Sequence, residues 1–212
     1  MDARAIEIES KRNSRIITKA FPGHYATSHS HVNYYVDMST VKCQHKVARL
    51  AAQELAKTLS ATAVDTIVCL DGTEIVAAYL ADELCQSSVA GINKNGDIAV
   101  ITPEINPNNQ MLLRDNTQRM VWGKQVLLLV ASITTGKTIN RALECIRYYG
   151  GETGGICSLF SAVEAVGGIP VNTIFVADEL QGYHTYSSHD CPYCREKRKI
   201  DAIINSYGYS KI

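Results

Sequence analysis

The sequence predicts a single α/β domain built on a mostly parallel sheet flanked by helices, and three observations lead there. Strand-length apolar runs alternate with segments of helical periodicity from residue 44 to residue 177. The run Val126, Leu127, Leu128, Leu129, Val130 is apolar at five successive positions, as a strand covered on both faces requires. A chain of 212 residues is also long enough to bury a substantial core without disulfides or metal.

Taken in order, residues 44–59 place Val47, Leu50, Ala51, Leu55 and Leu59 at helical spacing with Lys, Arg, Gln and Glu between them. That pattern predicts an amphipathic helix. Residues 64–70 read as a buried strand, and Asp71-Gly72-Thr73-Glu74 as a turn into a helix over residues 75–85. A short strand at 98–102 is followed by a polar, proline-containing stretch from 103 to 119. The strand at Val126 then runs into Thr134, Thr135, Gly136 and Thr138, a turn able to offer backbone N–H groups to an anion. The helix after it carries Ile139, Ala142, Leu143, Ile146 and Tyr149 on one face, and Gly150-Gly151 closes it. Strands near 155–160 and 171–177 complete the alternation, so ligands are expected beyond the carboxyl ends of the strands.

Composition narrows the classes of function. Lys plus Arg number 21 and Asp plus Glu number 21, so there is no electrostatic case for a nucleic-acid partner. Seven scattered cysteines, an odd number, suit a reducing compartment better than a disulfide framework. No stretch approaches the ~18 apolar residues of a membrane span, and MDARAIEIESKRNSR lacks the apolar centre of a signal peptide. The expectation is a soluble cytoplasmic protein with neither nucleic acid nor membrane as partner. Internal repeats, low-complexity tracts and an evident linker are not visible.

The segment VLLLVASITTGKTI from Val126 can be written as either of two anion-binding motifs. Ala131, four residues and then Gly136-Lys137-Thr138 nearly matches a Walker-type loop, with Ala in place of the first Gly and Asp178 as a candidate magnesium ligand. Chain position argues against that phosphohydrolase reading, because at least two strand-like segments precede the loop. The other motif is an apolar strand, two acidic residues, an apolar residue and Thr-Thr-Gly-x-Thr, the ribose-phosphate loop of the type I phosphoribosyltransferases. Leu127 to Thr138 resembles it closely, with Ala131-Ser132 where the family places its acidic pair.

The resemblance extends further and points to orotate phosphoribosyltransferases. GHYATSHSHVNYYVD, from Gly23 to Asp37, is similar to their N-terminal segment, and Asp71, Gly72, Thr73 and Glu74 fall where the family has its pyrophosphate loop. The likeness covers most of residues 16–177. It implies a type I phosphoribosyltransferase fold, with residues 1–180 as the main domain, 1–40 of it a small N-terminal hood, and 181–212 a Cys- and His-containing tail. It further implies a homodimer that binds phosphoribosyl pyrophosphate (PRPP) or a nucleotide, usually with magnesium. Ser132, Thr134, Thr135, Gly136, Lys137 and Thr138 would hold the 5′-phosphate, and Asp71 to Glu74 would lie near the pyrophosphate.

Transfer of ribose 5-phosphate to a base develops positive charge on the ribose, so carboxylates near its hydroxyls and cations near the departing pyrophosphate matter most. Ala131 and Ser132 leave one neutral hydroxyl there and no charge. After Ile98, where orotate enzymes carry an Arg-Lys pair and a mobile Lys- and His-bearing loop, Arg114 and Arg119 are the cations present, and Thr27-Ser28 stands near the relatives' base-contacting Lys. One lost contact of this kind typically costs about 100- to 1000-fold in rate. Two readings therefore remain: an enzyme acting on a pyrimidine-type base with altered or weak activity, and a non-catalytic module that senses a nucleotide or PRPP. No catalytic residue is assigned.

The tail carries a separate signal. His184, His189, Cys191 and Cys194 fall within eleven residues, and Cys-Pro-Tyr-Cys lets two thiolates meet one tetrahedral zinc. A reduced, unliganded tail and a redox dithiol are the alternatives. His24, His29 and His31 could also cluster at a metal, but a polar loop accounts for them. Tyr34 and Tyr35 read as packing residues rather than base-stacking ones, and Glu164 and Asp178 as solvated or capping carboxylates.

Overall fold

A computed structural model of the chain describes residues 4–86, 92–94, 96–108, 110–205 and 207–212, so the first three residues of the N-terminal segment lie outside it. The elements are, in order, β1 (Ile6–Ser10), β2 (Asn13–Ala26), β3 (His31–Asp37), α1 (Ser39–Cys43), α2 (His45–Ala56), β4 (Thr66–Cys69), α3 (Glu74–Gln86), β5 (Ala99–Ile101), β6 (Glu104–Ile105) and β7 (Met111–Leu112). They continue as α4 (Asp115–Gln118), β8 (Gln125–Ile133), α5 (Lys137–Tyr148), β9 (Glu152–Ser161), β10 (Ala165–Val166), β11 (Ile169–Val176), β12 (Thr185–Tyr186), α6 (Pro192–Arg195), β13 (Ala202–Asn205) and β14 (Gly208–Lys211).

The central sheet has the order β10-β11-β9-β8-β4-β5 and is parallel except for β10. β8 lies inside it, and its apolar run divides by the two-residue period of a strand. Leu127, Leu129 and Ala131 join the core under α2 and α3, with Ala51, Leu55, Val76 and Leu80. Val126, Leu128 and Val130 face the other way, into a core with Ile139, Ala142 and Ile146 of α5. Both faces are covered, which is why the strand has no polar alternation.

The order of these strands decides where a ligand can sit. The chain passes from β4 to its neighbour β5, then returns across β4 to place β8 on the opposite side. The crevice beyond the carboxyl ends of β4 and β8 is therefore the switch point of the sheet, where the loops after the two strands diverge and leave room.

The stretch from 103 to 119 contains more order than its polarity suggests. β6 and β7 pair as a small antiparallel hairpin, and α4 is a single turn after it.

A second sheet, β12-β3-β2-β13-β14 with β1 on β2, joins the two ends of the chain. Residues of the tail pair with β3 through Thr185 and Tyr186 and with β2 through Ala202 and Ile203. Its own small core contains Phe21, Tyr25, Val32, Tyr35 and Ala202, so the N-terminal segment and the tail bury apolar surface together. Among the described residues no helix is long and apolar enough to cross a membrane.

Candidate functional site

A cleft of about 310 Å³ opens at the switch point. It is lined by the end of β8 and the turn into α5: Ser132, Thr134, Thr135, Gly136, Lys137 and Thr138. Gly136 is the N-cap of α5, with φ 77° and ψ 0°. That left-handed conformation turns the chain from strand to helix beside the cleft, where the first α5 amides have no partner within the helix, and it favours glycine. Val166 also crowds this glycine, since an added Cβ would lie 3.0 Å from Val166 Cγ2 and 3.1 Å from Cγ1, tight enough that the valine must shift to admit it.

The loop after β4 contributes differently from its sequence expectation. Asp71, at φ 62°, lines the cleft, and its carbonyl accepts a hydrogen bond from Lys42 Nζ at 2.8 Å. Thr73 is fully buried, and its hydroxyl lies 2.9 Å from the Leu70 carbonyl and 3.2 Å from that of Leu129, bridging the ends of β4 and β8. Glu74 lies outside the cleft lining and accepts a hydrogen bond from Thr102 Oγ1 at 2.9 Å. Gly72 is exposed and outside the lining too, so of these four residues Asp71 alone reaches the cleft.

Cations dominate the cleft. Lys42, Lys137 and Arg141 line it, against Asp71 as the one lining carboxylate among the described residues. His29 lines it as well; burial first, then the charges of Arg141 and Lys137, push its imidazole below the usual value. The loop motif contains neither Lys42 nor Arg141. Arg141 is signalled by its position four residues after Lys137, on the same face of α5. Lys42 has no such signal, because only the packing of α1 beside the β4 loop brings it there.

Ala131 and Ser132 have different surroundings. The Ala131 methyl is 4% exposed at the edge of the core, whereas the Ser132 hydroxyl is open to solvent at the cleft. Thr27 and Ser28 line the cleft as well. Arg114 is held away by Glu104, with Nη2 2.6 Å from the carboxylate, and neither it nor Arg119 lines the cleft. Tyr34 and Tyr35 both pack, as expected, against Tyr183 and Phe21 respectively, yet both also line the cleft. Glu164 and Asp178 are exposed and outside the lining, so the loop has no acidic partner at Asp178 of the kind a Walker-type site needs.

The tail forms part of the wall. Tyr183, Ile204, Asn205 and Gly208 line the cleft, and Asn33 holds the adjoining turn by donating to the Gly182 carbonyl at 2.6 Å and accepting from the His184 amide at 2.7 Å.

Metal-ligand side chains gather elsewhere. Cys191 and Cys194 meet His24 and His31, with one potential ligand atom from each residue all within 4.8 Å of one another. The expected partners His184 and His189 are not in this group; both are exposed, His184 with its ring against Tyr186. The correction has a topological cause. The tail returns along the β2–β3 hairpin, which puts α6 beside His24 and His31, while a register shift in β2 between Pro22 and Tyr25 falls at His24. His29, two residues from His31, belongs to the cleft instead.

No protein-family model matches the chain, and no curated protein matches it in sequence. Solved structures do. Orotate phosphoribosyltransferase of Mycobacterium tuberculosis, crystallised with Fe(III) dicitrate, is similar with a TM-score of 0.52 and 17% identity, over 71% of this chain and 84% of that one. Adenine phosphoribosyltransferase of Thermoanaerobacter pseudethanolicus gives 0.52 and 15% over 82% of this chain and 96% of that one. UMP synthase of Leishmania donovani gives 0.52 and 17% over 78% of this chain but 33% of its own length, so the chain spans about a third of that protein. The chain has the type I phosphoribosyltransferase fold. Within that fold its similarity runs to orotate and adenine phosphoribosyltransferases alike.

Proposed function

We propose that the protein binds a phosphoribosyl compound, PRPP or a nucleotide 5′-phosphate, with the 5′-phosphate on the loop from Thr134 to Thr138, and that it transfers phosphoribosyl to a pyrimidine-type base slowly. The carrying observation is the loop itself. A left-handed glycine at the start of a twelve-residue helix, facing a cleft lined by Lys42, Lys137 and Arg141, suits a phosphate dianion. A bound Mycobacterium tuberculosis orotate phosphoribosyltransferase structure contains PRPP, which supports the choice of ligand class.

The slow rate follows from what stands beside the phosphate. Ser132 and the buried Ala131 provide no carboxylate for the positively charged ribose of the transition state, and each missing electrostatic contact costs about 100- to 1000-fold. Magnesium carried in by PRPP would meet one cleft carboxylate, Asp71. Tyr34 and Tyr35, with the Thr27-Ser28 turn, would face the base.

Calorimetric titration with ribose 5-phosphate and with PRPP plus Mg²⁺ tests the binding, and pyrophosphate release in the presence of pyrimidine bases tests the transfer. Saturable binding with turnover at least 100-fold below the ~10 s⁻¹ of a typical enzyme is expected. Absence of binding removes the phosphate assignment, and ordinary turnover removes the argument from Ala131-Ser132. Saturable binding with no turnover at all selects the sensing module. Tight ATP binding that disappears in Lys137→Ala, with none for phosphoribosyl compounds, selects the phosphohydrolase.

A further inference from the structure

Outside the cleft, the most specific chemical grouping is the one formed by His24, His31, Cys191 and Cys194. His24 and Cys191 are 167 positions apart, so nothing local in the sequence obliges them to meet. His24 Nε2 lies 3.0 Å from His31 Nδ1, 3.4 Å from Cys191 Sγ and 3.6 Å from Cys194 Sγ, and Cys194 Sγ lies 3.3 Å from His31 Nδ1. A tetrahedral zinc with Zn–N of about 2.0–2.1 Å and Zn–S of about 2.3 Å has edges of roughly 3.3 Å between nitrogens and roughly 3.5 Å between nitrogen and sulfur. These four separations lie within about 0.3 Å of such edges, and the remaining two ligand pairs are within 4.8 Å.

The surroundings orient the donors. His24 Nδ1 lies 3.1 Å from the Arg198 carbonyl oxygen, which can accept only from a protonated nitrogen, so Nε2 is the ring atom left with a lone pair for a metal. His24 and Cys191 are fully buried. Two nitrogen and two sulfur atoms that each carry a lone pair when deprotonated thus face one small gap, which is the ligand set a cation takes. Two sulfur and two nitrogen ligands at tetrahedral spacing select zinc among the common divalent ions. Four protein ligands leave no open position, which defines a structural site.

We propose that His24, His31, Cys191 and Cys194 bind one zinc ion, and that this ion clasps the tail to the β2–β3 hairpin. Binding takes both cysteines as thiolates and releases their protons. The clasp has leverage on the cleft because the chain on either side of α6 supplies Tyr183, Ile204 and Asn205 to its wall. Two residues of β12 and two of β13 pair with the hairpin, and Asp201 bonds the His24 backbone through its amide and carboxylate just before β13, so the zinc would fasten the stretch around α6 between these points.

The test uses the full chain purified under reducing conditions. Elemental analysis should find one zinc per chain, and Co²⁺ exchange should give the intense d–d absorption of a tetrahedral thiolate site. Cys194→Ser, at an exposed position, and His31→Ala should each lower metal content at least 10-fold, while His184→Ala and His189→Ala retain it. Trypsin should cut at Arg195, Lys197, Arg198 or Lys199 at least 10-fold faster after chelation. The proposal is overturned by a reduced protein that takes up no zinc or cobalt, by Cys194→Ser or His31→Ala retaining zinc, by a Cys191–Cys194 disulfide in place of metal, or by proteolysis indifferent to chelator. These readouts need no ligand in the cleft, so they stand or fall separately from phosphoribosyl binding.

Discussion

Replacing Gly136 with alanine tests whether the phosphate loop depends on its backbone shape. At φ 77° an L-residue costs about 1–2 kcal/mol. The new Cβ would also sit 3.0 and 3.1 Å from the two methyls of Val166, an overpacking worth roughly 1–2 kcal/mol where the neighbour is itself buried. Together these predict a loss of about 2–4 kcal/mol, or roughly 4–16 °C in Tm for a chain of this size. Gly168→Ala is the control, because φ is 80° there but nothing lies within 4 Å of the added Cβ, leaving the backbone cost alone. Combining Gly136→Ala with Val166→Ala should recover the steric part and show up as coupling in a double-mutant cycle. Thermal melts with and without ribose 5-phosphate read both effects. At ligand 100 times Kd the wild type should gain about 2.7 kcal/mol, and Gly136→Ala less than about 1 kcal/mol, because the loop that adapts to the methyl no longer points its amides at the anion. A Gly136→Ala protein that melts within about 1 °C of wild type and keeps the full ligand shift would refute the reasoning.

Three further outcomes follow from the same geometry. Ser132→Asp should fold normally and raise pyrophosphate release, whereas Ala131→Asp should cost about 1–3 kcal/mol because its carboxylate starts from a buried methyl position; equal stability of the two variants in denaturant would contradict the burial argument. Lys137→Ala combined with Arg141→Ala should weaken ribose 5-phosphate binding at least 10-fold and flatten its salt dependence, and a titration at two ionic strengths showing neither change would remove the cleft cations from the site. Burial would raise the Glu54 carboxyl, but hydrogen bonds from Lys57 and Asn13 and the charges of Lys57 and Arg12 outweigh it and hold the group below its ordinary value of 4.5. The unfolded chain then binds the proton more readily, so this stability is present above pH 4.5 and lost as pH falls through the folded value. Melts from pH 7 to 3.5 should show a steeper acid loss in wild type than in Glu54→Gln, and parallel curves would refute it.

Much of the parallel sheet is legible in the chain because each of its elements is decided by near neighbours. The β8 run is apolar at every position since both its faces are covered, and α5 announces itself by its apolar stripe and the glycine before it. The ordered hairpin of β6 and β7 is not legible, because two-residue strands leave no periodicity to read. The Asp71 to Glu74 turn is visible, but its division of labour is not: the inward turn of Thr73 onto Leu70 and Leu129, and the outward turn of Glu74 to Thr102, depend on partners 56 and 28 residues away.

The sequence by itself determined the strand, turn and helix around Gly136, since a buried strand, a left-handed glycine and an amphipathic helix are local necessities written into adjacent residues. It also determined that Ala131 and Ser132 bring no charge. Tertiary structure alone decided that Lys42 shares the cleft with that loop and which histidines meet Cys191 and Cys194. Lys42 arrives by helix packing, and His24 and His31 by the return of the tail along the hairpin. Such meetings depend on sheet order and register, which spacing along a chain does not record.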